Sequence, residues 1–147
     1  MPTSPLPTNT PSTKMSTPET YRVYRASETG IPFNHQTIFV ETHENGPKCG
    51  HIYHVTGTIQ NGMAFEHRPA DELEKSPMFG SKTLVGTISR EDFPGRFLEV
   101  CESVPPPKKQ FEGNKRLFPS EPLRRCGQWA DETVVILGEA GVLRKEV

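Results

Sequence analysis

The sequence predicts an α+β fold in which a mainly antiparallel sheet packs against a C-terminal helix that begins near Cys126. Three observations carry this. Runs rich in aromatic and β-branched residues recur between Tyr21 and Ile88. Turn clusters at Asn45-Gly46-Pro47 and Asn61-Gly62 separate those runs, as antiparallel connections require. Helical periodicity is strongest near the end, where Trp129, Thr133 and Leu137 fall along one face behind Cys126.

Residues 1–20 are almost entirely Pro, Thr, Ser and Asn, with Leu6, Met1 and Met15 as their apolar side chains. Such a segment buries too little surface to offset its ordering entropy, so it reads as a flexible tail ahead of a single domain over 21–147. Tyr21 to Arg25 opens the domain as a strand, interrupted by Gly30-Ile-Pro32. His35 to Glu41 is the clearest strand: His35, Thr37, Phe39 and Glu41 share one face, Gln36, Ile38 and Val40 the other. His51 to Thr56 is the next, and an antiparallel pairing of the two brings His54 beside the His35 strand. Thr58 to Gln60 and Met63 to Glu66 form a further hairpin about Asn61-Gly62. His67 to Ser81 is polar, carries two prolines and reads as loop with at most one helical turn, and Thr83 to Ile88 reads as strand. Asp92 is placed to cap a short helix through Phe97, Leu98 and Cys101, with Pro94 in its first turn and Val104-Pro-Pro-Pro107 ending it. Lys108 to Pro122 is then a long basic loop. The last helix stops near Gly138 or Gly141, leaving Arg144 and Lys145 in a charged tail.

A net charge of −1 with both signs interspersed supplies no basic face, which sets a nucleic-acid partner aside. No apolar run resembles a signal peptide or a transmembrane segment. Cys49, Cys101 and Cys126 are odd in number and irregularly spaced, so no disulfide framework is expected, and a reducing, cytoplasmic setting is.

Cys126 is the residue with the most chemical potential. A thiol in the first turn of a helix meets unpaired backbone N–H groups and the positive end of the macrodipole, both of which favour thiolate. Thiol catalysis also needs a base, and gains from a third group that fixes the imidazole tautomer. The expected set is Cys126 as nucleophile, His35 as base and His54 as the orienting partner, with backbone N–H groups near Cys126 receiving an oxyanion. Trp129, Gln128 and Tyr53 are the candidate substrate-contacting residues, although Trp129 serves equally as core. No cofactor is expected. The chemical competitor is a zinc site from His43, Cys49, His51 and His54, but the odd separation of His51 and His54 turns their side chains to opposite faces of a strand. Cys101 reads as buried and inert, and Cys49, in a turn, as exposed and oxidisable.

His35-Gln-Thr-Ile-Phe-Val, Gly50-His-Ile-Tyr-His54-Val and Arg125-Cys126-Gly-Gln-Trp129 together resemble the motifs of the circularly permuted papain-like cysteine enzymes of the NlpC/P60 superfamily. That group includes the lecithin:retinol acyltransferase-like and PPPDE-like proteins. The resemblance implies a permuted papain-like fold and a Cys-His-His site that hydrolyses or transfers an ester, thioester, amide or isopeptide of a small molecule or peptide. Arg125 stands where those families usually carry Asn, which implies a different turn ahead of the cysteine. The long hydrophobic tail of the lipid-acting members has no counterpart, which points away from a phospholipid substrate. Met63-Ala-Phe and Pro105-Pro-Pro-Lys-Lys-Gln-Phe111 also resemble blocks of small fungal proteins, a likeness that implies no activity. The alternative is a non-catalytic module that binds a small molecule or protein on the same scaffold.

Overall fold

A computed structural model of the chain describes residues 19–30 and 34–145. The expected tail thus lies, apart from its last two residues, outside the described residues, as does the Ile31–Pro32 part of the first interruption. Five long strands come first: β1 (Thr20–Glu28), β2 (His35–Glu41), β3 (Gly50–Thr58), β4 (Gly62–Ala70) and β5 (Phe79–Ser89). Helix α1 (Gly95–Ser103), a small hairpin of β6 (Phe111–Glu112) and β7 (Lys115–Arg116), helix α2 (Cys126–Glu139) and β8 (Leu143–Arg144) follow. The fold is α+β. Its six-stranded antiparallel sheet runs in the order β4-β3-β2-β1-β5-β8.

Alternation along the strands decides which side chains meet the helices. Val23, Ile38, Val40, Tyr53, Val55 and Ile88 form one buried face with Phe97 and Cys101 of α1 and Trp129, Ala130 and Leu137 of α2. The opposite face is covered as well, because Thr37, Phe39, Glu41, Ile52 and His54 are all buried. β2 is therefore enclosed on both sides from Thr37 onward, which explains its nearly continuous apolar run. Part of the second cover is the Asp71–Ser76 connection, whose 3-10 turn at Leu73–Lys75 is tied down where Lys82 meets Glu74 at 3.1 Å and Glu41 at 3.5 Å. Among the described residues, no helix is long and apolar enough to cross a membrane.

Several local expectations change. β4 continues through Pro69 to Ala70, where loop was expected, because an edge strand needs no inward donor at every position. Thr58 is the end of β3 and not part of a separate strand; the hairpin closes at the Thr58–Gly62 pair, with Gly62 at φ +90°. Asp92 does not cap α1. It lies in a short 3-10 turn, Phe93 is extended as the residue before a proline tends to be, and the helix starts at Gly95. The basic loop contains the β6–β7 hairpin, turned by Gly113-Asn114 with Gly113 at φ +60°. Arg144 belongs to β8: Gly141 at φ +77° reverses the chain, and buried Val142 and Leu143 carry it back to β5.

Where β2 pairs with β3, the two backbones approach closely at Gly50. A Cβ there would stand 1.9 Å from the Val40 carbonyl oxygen. Gly50→Ala is therefore expected to lower the thermal midpoint sharply or to abolish folding, read by circular dichroism; a melting curve like that of the natural chain would contradict the β2–β3 register.

Candidate active site

Cys126 is the first residue of α2, and the loop before it is fixed by a side chain. Gln110, 6 % exposed, accepts the Arg124 N–H through Oε1 at 2.8 Å and donates through Nε2 to the Arg124 carbonyl at 2.8 Å. The same nitrogen also reaches the Lys108 carbonyl at 3.1 Å. This clamp holds the backbone two residues before the thiol. Arg125, at the N-cap, is extended, and its N–H donates to Gln128 Oε1 at 2.7 Å. Gln128 thereby satisfies one of the donors left over at a helix start.

His35 is the first residue of β2, and His54 lies in β3 on the face away from α1 and α2, between Tyr53 and Val55 of the core. Extending the β2–β3 register makes the two histidines diagonal neighbours, and their rings meet at 4.8 Å between centroids. His35 Nε2 stands 2.7 Å from His54 Nδ1. His54 Nε2 in turn stands 2.6 Å from Glu66 Oε1, and Glu66 is the direct partner of His54 across the β3–β4 ladder. At the other end, the Cys126 thiol is half-buried and 4.0 Å from the Asn34 carbonyl, with the His35 side chain near enough to favour its thiolate.

These contacts fix the proton positions. The hydrogen bond from His54, supported by its charge and that of Arg68, holds the Glu66 carboxyl below its ordinary value. A carboxylate only accepts, so His54 carries a proton on Nε2, and its neutral form presents a bare Nδ1. Beside that neutral form, His35 donates from Nε2, which leaves Nδ1 as the nitrogen available to the thiol. At Cys126, burial pushes the thiol up, but the hydrogen bond to His35, the N–H groups of Gln36 and Gly127 and the charge of His35 outweigh it, and the thiol ends below its ordinary value. A helix terminus contributes about 0.3–1 kcal/mol. Among the causes that lower the thiol, the hydrogen bond to His35 is the largest.

The other cysteines differ. Burial raises the Cys101 thiol. Cys49, expected to be exposed, is buried beneath the loop it closes: its carbonyl accepts the N–H groups of both Thr42 and His43, and its sulfur accepts the Asn45 N–H at 2.9 Å.

The match of the family model for DUF6540, a family of unknown function, spans residues 23–144. The chain belongs to that family. No curated protein and no solved structure matches it.

In this DUF6540 chain the fold brings together Cys126, His35 and His54, and separates the other sequence candidates from them. Trp129 is fully buried, donating Nε1–H to the Val104 carbonyl at 3.1 Å and packing on Phe65, so its ring offers no face to a substrate. Tyr53 is core as well, edge-on to Phe97, and burial raises its hydroxyl above the ordinary value. Gln128 is exposed and lines a groove of about 610 Å³ with Pro105, Pro122 and Leu123. Two positions along a helix place it about 200° round the axis from Cys126. The proposed zinc ligands disperse: His51 pairs with His67 at 2.9 Å on the helix face, His54 faces the other way, and His43 turns to Glu41 at 3.3 Å. Among the described residues, no three His, Cys, Asp or Glu are grouped to hold a metal.

Sequence reasoning missed Glu66. Its signal was present in the hairpin: four positions back from the Thr58–Gly62 closure along each strand lie His54 and Glu66. Removing the carboxylate weakens the imidazolium that favours the thiolate. In Glu66→Ala, the pH midpoint for iodoacetamide alkylation of Cys126 is therefore expected to move upward; an unchanged midpoint would detach Glu66 from the thiol.

Proposed function

We propose that this protein is a cysteine-dependent acyl-transfer enzyme, acting on an ester, thioester, amide or isopeptide of a small molecule or peptide. One observation carries the reading: the series His35, His54, Glu66, with 2.7 Å between the two rings and 2.6 Å to the carboxylate, beside a Cys126 thiol that His35 lowers. The His–His–Cys order on two adjacent strands and a following helix also supports the likeness to permuted papain-like enzymes.

In the reaction, the Cys126 proton passes to His35 Nδ1, and the imidazolium is stabilised through His54 by Glu66. The thiolate attacks the carbonyl carbon. A C–S bond forms, and the carbonyl π pair moves onto oxygen. Collapse restores C=O and expels the alcohol, thiol or amine, which takes the proton from His35. The remaining thioester is cleaved when water or another acceptor attacks, surrenders its proton to His35, and releases the acyl group and the Cys126 thiolate. Every proton taken in the first half is returned, so no cofactor enters the balance.

With p-nitrophenyl acetate as probe, an acetyl adduct on Cys126 is expected by mass spectrometry. Cys126→Ala should abolish it, and His35→Ala should slow its formation by about 10²–10⁴-fold. Alkylation of Cys126 by iodoacetamide should persist below the ordinary thiol range and exceed that of Cys49 and Cys101. Ester turnover undiminished in Cys126→Ala would remove the cysteine from the reaction, and no turnover by the natural chain would leave a binding module.

A further inference from the structure

We infer that the cavity between the sheet and the Asp71–Ser76 connection holds the acyl arm of the substrate, and that Arg68 makes the protein selective for acyl groups ending in a carboxylate. The inference rests on the cysteine chemistry proposed above and names the class of compound on which that chemistry acts.

The cavity lies on the face of the sheet that carries His35, His54 and Glu66. A strand returns to the same face every second residue, about 6.6 Å further on. Two positions along, His35 gives way to Thr37, His54 to Ile52 and Glu66 to Arg68, and antiparallel pairing makes all three steps run the same way. Thr37, Ile52 and Arg68 all line the cavity, with Ala26 and Phe79 beside them and Leu73 of the 3-10 turn above. On the β1 side its wall includes Glu28, the direct partner of His35 across the ladder. The space therefore begins where the two histidines end. Its volume, about 410 Å³, lies within the range of small-ligand sites. Its roof is fixed in advance, because Lys82 ties Glu74 of the 3-10 turn to the sheet at 3.1 Å.

The charges around this space are not equivalent. Lys75 meets Asp71 at 3.8 Å, Glu72 meets Lys48 at 4.0 Å, and Glu28 Oε2 accepts from the Ser76 hydroxyl at 3.4 Å. Arg68, among the described residues, has no hydrogen-bond or ion-pair partner. Its charge is felt at Glu66, but the near oxygen of that carboxylate is already committed to His54. A guanidinium is a planar fork of donors that fits a carboxylate with two parallel hydrogen bonds. An apolar floor of Ala26, Ile52 and Phe79 with such a fork at its rim matches a hydrocarbon chain that ends in a carboxylate. An acyl group carried by Cys126 would pass the His35 ring, run along this floor and end at Arg68. In this scheme Arg68 is a specificity residue, since it meets the remote end of the substrate and not the reacting atoms.

The test compares p-nitrophenyl half-esters of straight-chain diacids, from succinic to sebacic, with p-nitrophenyl esters of the monoacids of equal length. The quantity read is the ratio of kcat/KM, acid over neutral. In the natural chain this ratio is expected to rise to about tenfold at the length that reaches Arg68, mainly through KM. Arg68→Gln should bring it near unity, and Arg68→Lys, which keeps the charge, should retain part of it. The ratio isolates recognition, because a disturbance passed through Glu66 to the histidines, or a loss of fold, lowers both esters of a pair alike. A ratio that never exceeds unity, or one that survives in Arg68→Gln, would overturn the assignment. Failure of the underlying reading looks different: neither kind of ester would acylate Cys126 in the natural chain. Calorimetric titration of suberate into Cys126→Ala then scores the cavity independently of turnover. Binding that Arg68→Gln weakens supports the site, and no binding, or binding indifferent to Arg68, sinks it.

Discussion

The register shared by β2, β3 and β4 is the constraint on which the site depends. His54 faces Glu66 directly across one ladder and His35 diagonally across the other, so two backbone pairings align three polar side chains without help from any loop. A slip of one residue in either ladder would send His54 to the face occupied by Tyr53 and Val55 and bring an apolar side chain into its place. Close backbone contact at Gly50 and the positive φ of Gly62 anchor the start of β3 and the turn into β4 against such slippage.

The same alignment satisfies a buried group. His54 is 5 % exposed, and both of its ring nitrogens have partners. Leaving either unpaired would cost about 1–3 kcal/mol. Packing and proton placement thus reinforce each other: the sheet fixes the ring, and the ring favours the sheet pairing in which both bonds are made. Glu66 sits at the open end of the series, half exposed, where a carboxylate keeps its hydration and stays ionised.

Much of this was legible in the residues alone. Alternation in His35–Glu41, the turn at Asn45-Gly46-Pro47 and the helical spacing from Cys126 to Leu137 were enough to place Cys126 and both histidines on the correct kinds of element. Roles that depend on burial were not legible. Trp129 and Tyr53 neighbour catalytic candidates in sequence, yet Tyr53 falls on the other face of its strand from His54, and Trp129, nearly one turn beyond Cys126, went into the core with it. Cys49 was misjudged because a turn residue is usually open, and only the loop's own hydrogen bonds to its carbonyl and sulfur reveal that it is enclosed. Glu66 and Gln110 each bond to a partner distant in the chain, so composition and periodicity carry little trace of them. Strand ends moved for a simpler reason: edge position at Pro69 and the clash before Pro94 are decided by neighbours in space or by the following residue, not by propensity.

The amide of Gln110 has a consequence for how the chain tolerates change. Its side chain ties Arg124, while its backbone carbonyl accepts from Leu117 and its N–H donates to Ile59, so one residue closes the base of the β6–β7 excursion and anchors it to the body. Everything between Phe111 and Arg116 lies outboard of that knot. Length variation or an inserted epitope at Gly113-Asn114 would lengthen a peninsula whose neck stays shut, and the segment that presents the sulfur would not register the addition.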